Sequence, residues 1–189
     1  LEKSGGFCEE KEMSRKKWDK IWQEADIMIK GDRYAQKLLR MHIYHLLVTA
    51  SEFHKHLDAG IPARGLHGEA YRGHIFWDEL FIFPFYASHY PETARSVLMY
   101  RYRRLEEARR YAASHGYKGA MFPWQSGSNG REETQVIHLN PVSGKWGDDY
   151  SSLQRHISAA IAYNIWLYYH FTHDRDFLLN YGVEMFIEI

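Results

Sequence analysis

Between Ser151 and Phe171, apolar residues fall on every face of a helix: Ile157, Ala159, Ala160, Ile161, Ala162, Ile165, Trp166 and Leu167. A helix without a polar side has to be covered by other elements. The chain supplies helices that can do so. Leu39, Ile43, Leu46, Ala50, Phe53 and Leu57 recur in steps of three and four behind a capping Asp32, until Gly60 and Pro62 stop the pattern. Leu98, Tyr102, Leu105, Ala108 and Ala112 mark a further helix, opened by Pro91 in its first turn and closed at His115-Gly116. Its arginines and glutamates, Arg101 and Arg103 among them, read as a solvated face, with Glu106 placed to pair with Arg110. Trp18, Ile21, Trp22 and Ala25 define a leading helix capped by Ser14, and a last helix starts near Asp176. Apart from a short extended piece at Val136–Leu139 there is no strand series. The prediction is an all-α fold of helix–loop–helix units, a toroid or bundle with its site at one end.

The loops carry the unusual chemistry. Arg64 to Asp78 (RGLHGEAYRGHIFWD) packs three Gly, two His, two Arg, two carboxylates and three aromatics into fifteen residues. Its glycines would each cost about 1 kcal/mol inside a helix, so it reads as an ordered loop feeding a short helix from His74 to Phe83, interrupted by Pro84. Polar groups converging beside Trp, Tyr and Phe make the usual lining of a small-molecule pocket. Asp78 and Glu69 can accept from sugar hydroxyls or do acid/base work. The competing role for Asp78 is structural, an ion pair with Arg64 or Arg72 that only holds the loop. A second long loop, Gly116–Tyr150, contains Trp124 and Gln125, a stacking ring beside an amide that donates and accepts. Gln154 and His156 follow where that loop reaches the next helix.

Charge and composition exclude some classes. With 24 basic and 24 acidic residues the net charge is zero, which argues against a nucleic-acid or polybasic membrane surface. No run of about 18 apolar residues exists to cross a membrane. The lone Cys8 cannot form an internal disulfide, which points to a reducing, cytoplasmic setting. His42, His45, His54 and His56 lie on one predicted helix, but without an HExxH pair or a Cys pair they read as polar-face residues, and no metal is expected. The 14 Tyr and 6 Trp suit either a carbohydrate site or an aromatic helical core.

Ala63-Arg-Gly-Leu-His-Gly-Glu-Ala-Tyr-Arg-Gly-His-Ile-Phe-Trp-Asp78 closely resembles the signature at the start of the catalytic barrel in glycoside hydrolase family 65, which contains maltose, trehalose and kojibiose phosphorylases and some hydrolases. Trp18–Asp32, Tyr100–Arg109, Gly119–Ser126 and Leu153–Ile157 are similar to further family segments in family order. The resemblance implies a partial (α/α)6 barrel, about half of one. Residues 1–31 would be a linker and lead-in helix, and residues 32–189 the first half of the barrel, truncated at its C-terminal side. It also implies a fragment of an inverting α-glucoside phosphorylase acting on an α-linked glucose disaccharide, with inorganic phosphate as co-substrate and no cofactor. By position Trp77 and Asp78 would bind the glucosyl unit, and His67, Arg72, Trp124, Gln125, Gln154 and His156 would line the same mouth. No catalytic residue is assigned, because the family's general acid, a Glu in a Pro-Asp-Glu-Tyr-like segment, is expected beyond residue 189; the fragment alone is therefore expected to be inactive. The family pattern Trp-Asp-Thr-Glu is here Trp77-Asp78-Glu79-Leu80, so Glu79 should not inherit the role of the family Glu. An α-glucoside hydrolase of the same family, a non-catalytic carbohydrate-binding module and a metal-dependent enzyme on the His set are the other readings. A half barrel exposes apolar helix faces, so homodimerisation or similar association is expected.

Overall fold

The structure is a computed structural model that describes residues 6–65 and 71–189. It divides into two compact units, one up to Leu47 and one from Val48 to Ile189.

The first unit holds helix α1, Phe7–Ala25, and most of helix α2, Arg33–Thr49. Glu9 and Glu10 sit in the first turn of α1, where acidic groups favour the helix dipole. The helix therefore begins well before the expected cap, and Ser14 lies inside it. Asp32 does cap α2: its Oδ1 accepts from the amides of Tyr34 and Ala35, each at 2.9 Å. Arg40 grips Asp26 with two hydrogen bonds and holds that carboxyl below its ordinary range.

The second unit opens with a helix end earlier than the sequence predicts. The apolar pattern that predicts a helix to Leu57 breaks at Thr49, and Glu52–His56 forms a 3-10 turn. Ser51 causes the change: its side chain accepts from the Phe53 amide, an alternative that serine offers the backbone at helix ends. His54 is not a polar-face residue. It is buried, with Nε2 2.9 Å from the Ala59 carbonyl.

Helix α3, Glu79–His89, starts five residues later than expected and runs through Pro84. Burial of Phe83, Tyr86 and Ala87 outweighs the one hydrogen bond that proline removes. Helices α4, Pro91–Tyr102, and α5, Leu105–Ser114, replace the single helix expected there. Helix α6, His156–Thr172, packs on α3 and α4. Its Ile157, Ile161 and Ile165 meet the core that contains Phe83, Val97 and Leu98. It is not covered all round, since Tyr163, Trp166 and Phe171 are each about half exposed. His173 in the left-handed region ends it. Asp174 then caps the short helix α7, Arg175–Phe177, which runs through a π turn at Leu178–Gly182 into α8, Val183–Glu188. Arg109 ties α5 to α8 through Glu184 at 2.8 Å and Glu188 at 3.0 Å, and it is Arg109, not Arg110, that pairs with Glu106.

The fold is all-α with one addition that the periodicity did not predict as a pair. Strands β1, Ile137–Asn140, and β2, Lys145–Asp148, form an exposed antiparallel hairpin with Asn140 opposite Lys145.

Candidate functional site

Two loops meet at the N-terminal end of α3, and buried polar bonds fix both. On the first loop, Glu79 is turned into the core. Its Oε2 lies 2.9 Å from Arg101 Nη2, and its Oε1 accepts from the Ile61 amide at 2.9 Å. Arg101 also donates to the Phe76 carbonyl at 3.1 Å. Consecutive helical residues point about 100° apart, so anchoring Glu79 inward turns Trp77 and Asp78 out of the core. This explains the departure at Glu79: it is a structural acid paired in the interior. It also corrects the reading of Arg101 as solvated, since only 1% of its side chain is exposed. The signal was present in the sequence. Ala94, Leu98, Arg101, Leu105, Ala108 and Ala112 step by four and three, which places Arg101 on the apolar stripe.

The second loop is laced to the first. Ile75 and Ser126 exchange backbone bonds of 3.0 and 2.9 Å in an antiparallel bridge, and Ser126 bridges in turn to Glu132. Tyr100 Oη donates to the Gly127 carbonyl at 2.6 Å and lies 2.9 Å from Ser126 Oγ. The Glu132 carboxylate accepts from the amides of Trp124 at 2.8 Å and Gln125 at 3.2 Å. The phenol of Tyr111 lies 3.4 Å from the same carboxylate.

These constraints bring three of the expected residues together. His156 meets Trp77 edge-on at 4.8 Å between ring centroids and Trp124 at 5.2 Å, and the two tryptophans are 6.3 Å apart. Phe76 meets Trp124 at right angles, and Phe81 extends the aromatic surface beyond Trp77. Below them, between α3 and α6, lies an open groove of about 650 Å³ lined by Trp77, Leu80, Phe81, Pro84, His156, Ala159, Ala160 and Tyr163. That volume is in the range of small-molecule sites.

Asp78 follows Trp77 at the N-terminus of α3 and is not among the residues that line the groove. Its backbone is helical (φ −56°, ψ −25°), and its side chain makes no capping bond. It does not pair with Arg64 or Arg72, so the purely structural role is not the one found: Arg72 donates instead to the Glu133 carbonyl at 2.9 Å. Burial pushes the Asp78 carboxyl above its ordinary value of 3.8, opposed only by its own amide. A half-buried carboxylate without a side-chain partner among the described residues is poised to accept hydrogen bonds from a ligand.

The other expected residues are placed differently. Gln125 is buried, and its Nε2 is 2.7 Å from His74 Nδ1, a partner the sequence reading missed. Gln154 is exposed just before α6. His67 lies outside the described residues, as does Glu69. Among the described residues there is no group of three or more His, Cys, Asp or Glu arranged to hold a metal ion, and no helix is long and apolar enough to cross a membrane.

Comparison with known proteins adds independent findings. Residues 40–189 match the central catalytic domain of glycosyl hydrolase family 65. The trehalose 6-phosphate phosphorylase of Lactococcus lactis subsp. lactis is 49% identical over 173 residues, 90% of this chain and 22% of that protein. The kojibiose phosphorylase of Caldanaerobacter subterraneus subsp. tengcongensis is 46% identical over 195 residues, 98% of this chain and 24% of that protein. A solved structure described as a kojibiose phosphorylase from human microbiome superposes with a TM-score of 0.82 at 31% identity, covering 97% of this chain and 23% of that one. The chain spans between 14% and 24% of the length of the curated relatives it matches.

Proposed function

Because this chain belongs to glycosyl hydrolase family 65, we propose that it contributes the glucosyl-binding subsite of an inverting α-glucoside phosphorylase acting on an α-linked glucose disaccharide. The observation that carries this reading is the half-buried Asp78 carboxylate, with no side-chain partner among the described residues, directly following Trp77 of the Trp77–Trp124–His156 aromatic set. Asp78 accepts from the outer hydroxyls of the sugar, and the indoles give its apolar face a surface to lie on.

Inorganic phosphate is the co-substrate of the whole enzyme. Inverting hydrolysis needs a second carboxylate to activate water. Phosphate already carries the negative charge it attacks with, so phosphorolysis needs only a general acid. That acid belongs to a segment outside these residues, and the chain alone binds glucosides without turning them over. Relatives named as phosphorylases at 46–49% identity favour phosphorolysis over the hydrolase alternative. The residues from 32 onward make the first half of the (α/α)6 barrel, behind a lead-in formed by residues 1–31. The chain associates with itself through the exposed apolar side of α6 and α8.

The test is calorimetric titration with glucose, maltose, trehalose and kojibiose, with Asp78→Ala as control. Binding of one of these sugars that disappears in the variant is expected. Equal binding by both proteins would remove Asp78 from the site.

A further inference from the structure

Trp124 and Gln125 are adjacent, and both have their backbone amides pointed at one carboxylate. Glu132 Oε2 accepts from Trp124 at 2.8 Å, and Oε1 accepts from Gln125 at 3.2 Å. Oε1 also takes the amide of Thr134 at 3.0 Å and its hydroxyl at 2.5 Å. Tyr111 Oη reaches Oε2 from α5 at 3.4 Å, and burial, with the charge of Glu132 second, holds that phenol in its protonated, donating form. Five donors therefore converge on two oxygens from four residues. The backbone bridges around them, Ile75 to Ser126 and Ser126 to Glu132, and the bond from the Glu133 amide to the Gln125 carbonyl, do not use the two amides at 124 and 125.

From this geometry we infer that Glu132 is a positioning residue for the sugar site, a role that rests on the glucosyl-site reading above. Its carboxylate bonds are to backbone amides, a threonine hydroxyl and a phenol. It acts by setting the backbone at 124 and 125, and hence two side chains: the Trp124 indole, 6.3 Å from Trp77, and the Gln125 amide, held against His74 at 2.7 Å. The requirement is for a carboxylate. Both of its oxygens accept, whereas a carboxamide would turn an NH2 group toward one set of these donors. Charge-assisted bonds of this kind are about twice as strong as neutral ones, so one side chain can hold a loop that has no strand or helix of its own at that point. A β-branched or apolar residue at 132 would leave the amides at the mouth of the site without an acceptor.

The test is Glu132→Gln, which keeps the volume and removes the double acceptor. The first readout is the circular-dichroism exciton couplet of the Trp77–Trp124 pair, assigned as the signal lost in Trp77→Phe and read without sugar. The second is glucose affinity by calorimetry, and the third is the thermal melt. The expected result is a cooperative melt with the couplet reduced by about half or more, and a glucose dissociation constant raised about tenfold, as the loss of charge-assisted bonds implies. A cooperative melt with an unchanged couplet overturns the inference, because a residue that only stabilised the fold would move the melt and leave the couplet. If Glu132→Gln does not melt cooperatively, Thr134→Val decides on the same couplet: a partial loss supports the role, and no change overturns it. Failure of the wild-type chain to bind glucose would count against the glucosyl reading, and the couplet would still judge Glu132 separately.

Discussion

Asp78 and Glu79 are consecutive acids with opposite surroundings: Glu79 is buried 2.9 Å from Arg101, and Asp78 is half-buried with no side-chain partner among the described residues. The first acid is left available because the second is anchored. Backbone geometry couples the two roles, so substitutions at either should have distinguishable consequences.

Asp78→Asn should stabilise the chain while removing sugar binding. Burial raises the carboxyl above 3.8 in the folded state, so the folded chain holds this proton more tightly than the unfolded one. The contribution of Asp78 to stability therefore falls as pH rises from 3.8 through the raised value. At pH 7 the neutral amide avoids that penalty and should melt higher than wild type in calorimetry, with the difference vanishing below pH 3.8. A lower melting temperature at pH 7 would show that Asp78 has an unrecognised stabilising partner. The trade of stability for an available charge is typical of functional sites.

Arg101→Met strands the Glu79 charge in the core. Breaking a buried pair from one side costs about 3–5 kcal/mol, and urea unfolding should report a loss of that size. The double change Glu79→Leu with Arg101→Met removes both charges and should recover part of it, although the Ile61 amide and the Phe76 carbonyl lose their partners. A double variant as unstable as the single one would show that the pair matters for packing and not for charge compensation.

Gly116 and Gly119 form a matched pair, both at φ +78°. A Cβ at Gly116 meets nothing within 4 Å, whereas one at Gly119 would stand 2.2 Å from the Glu188 carbonyl oxygen, which already accepts from the Ala120 amide at 2.7 Å. Gly116→Ala should cost about 1–2 kcal/mol from its left-handed backbone alone. Gly119→Ala should cost about 2–5 kcal/mol, because the end of α8 must also move. Equal losses in chemical denaturation would show that α8 yields freely at its C-terminal end.

Self-association should follow the apolar side of α6 and α8. Trp166, Val183, Phe186 and Ile187 are 50%, 36%, 51% and 77% exposed, around an apolar groove of about 230 Å³. Light scattering should give a mass that rises with concentration for the wild-type chain and stays monomeric for Phe186→Asp. A wild-type chain that remains monomeric throughout would exclude this surface as an interface.

Local rules made much of this legible in advance. Asp32 as a cap, the stop at His115-Gly116 and the apolar core of α6 each depend on a few neighbouring residues, and each is found. Helix ends set by competition were missed. Ser51 ends α2 early because its side chain offers the backbone another partner, and the first-turn acids carry α1 past Ser14. Pro84 looks like a break in sequence because proline's local cost is visible there, whereas the burial that outweighs it is not.

The aromatic and acidic candidates Trp77, Asp78, Trp124 and His156 can be named from the sequence because residue type and local order are written in it. That Glu79 faces the core and Arg101 is buried depends on their meeting across 22 residues of sequence and on the Ile61 amide 18 residues before Glu79, and Glu132 meets Tyr111, 21 residues back, beside its nearer donors. These partners become visible in the folded chain. A charged side chain enters the interior when a partner from elsewhere in the chain meets it there, and no local pattern records that meeting.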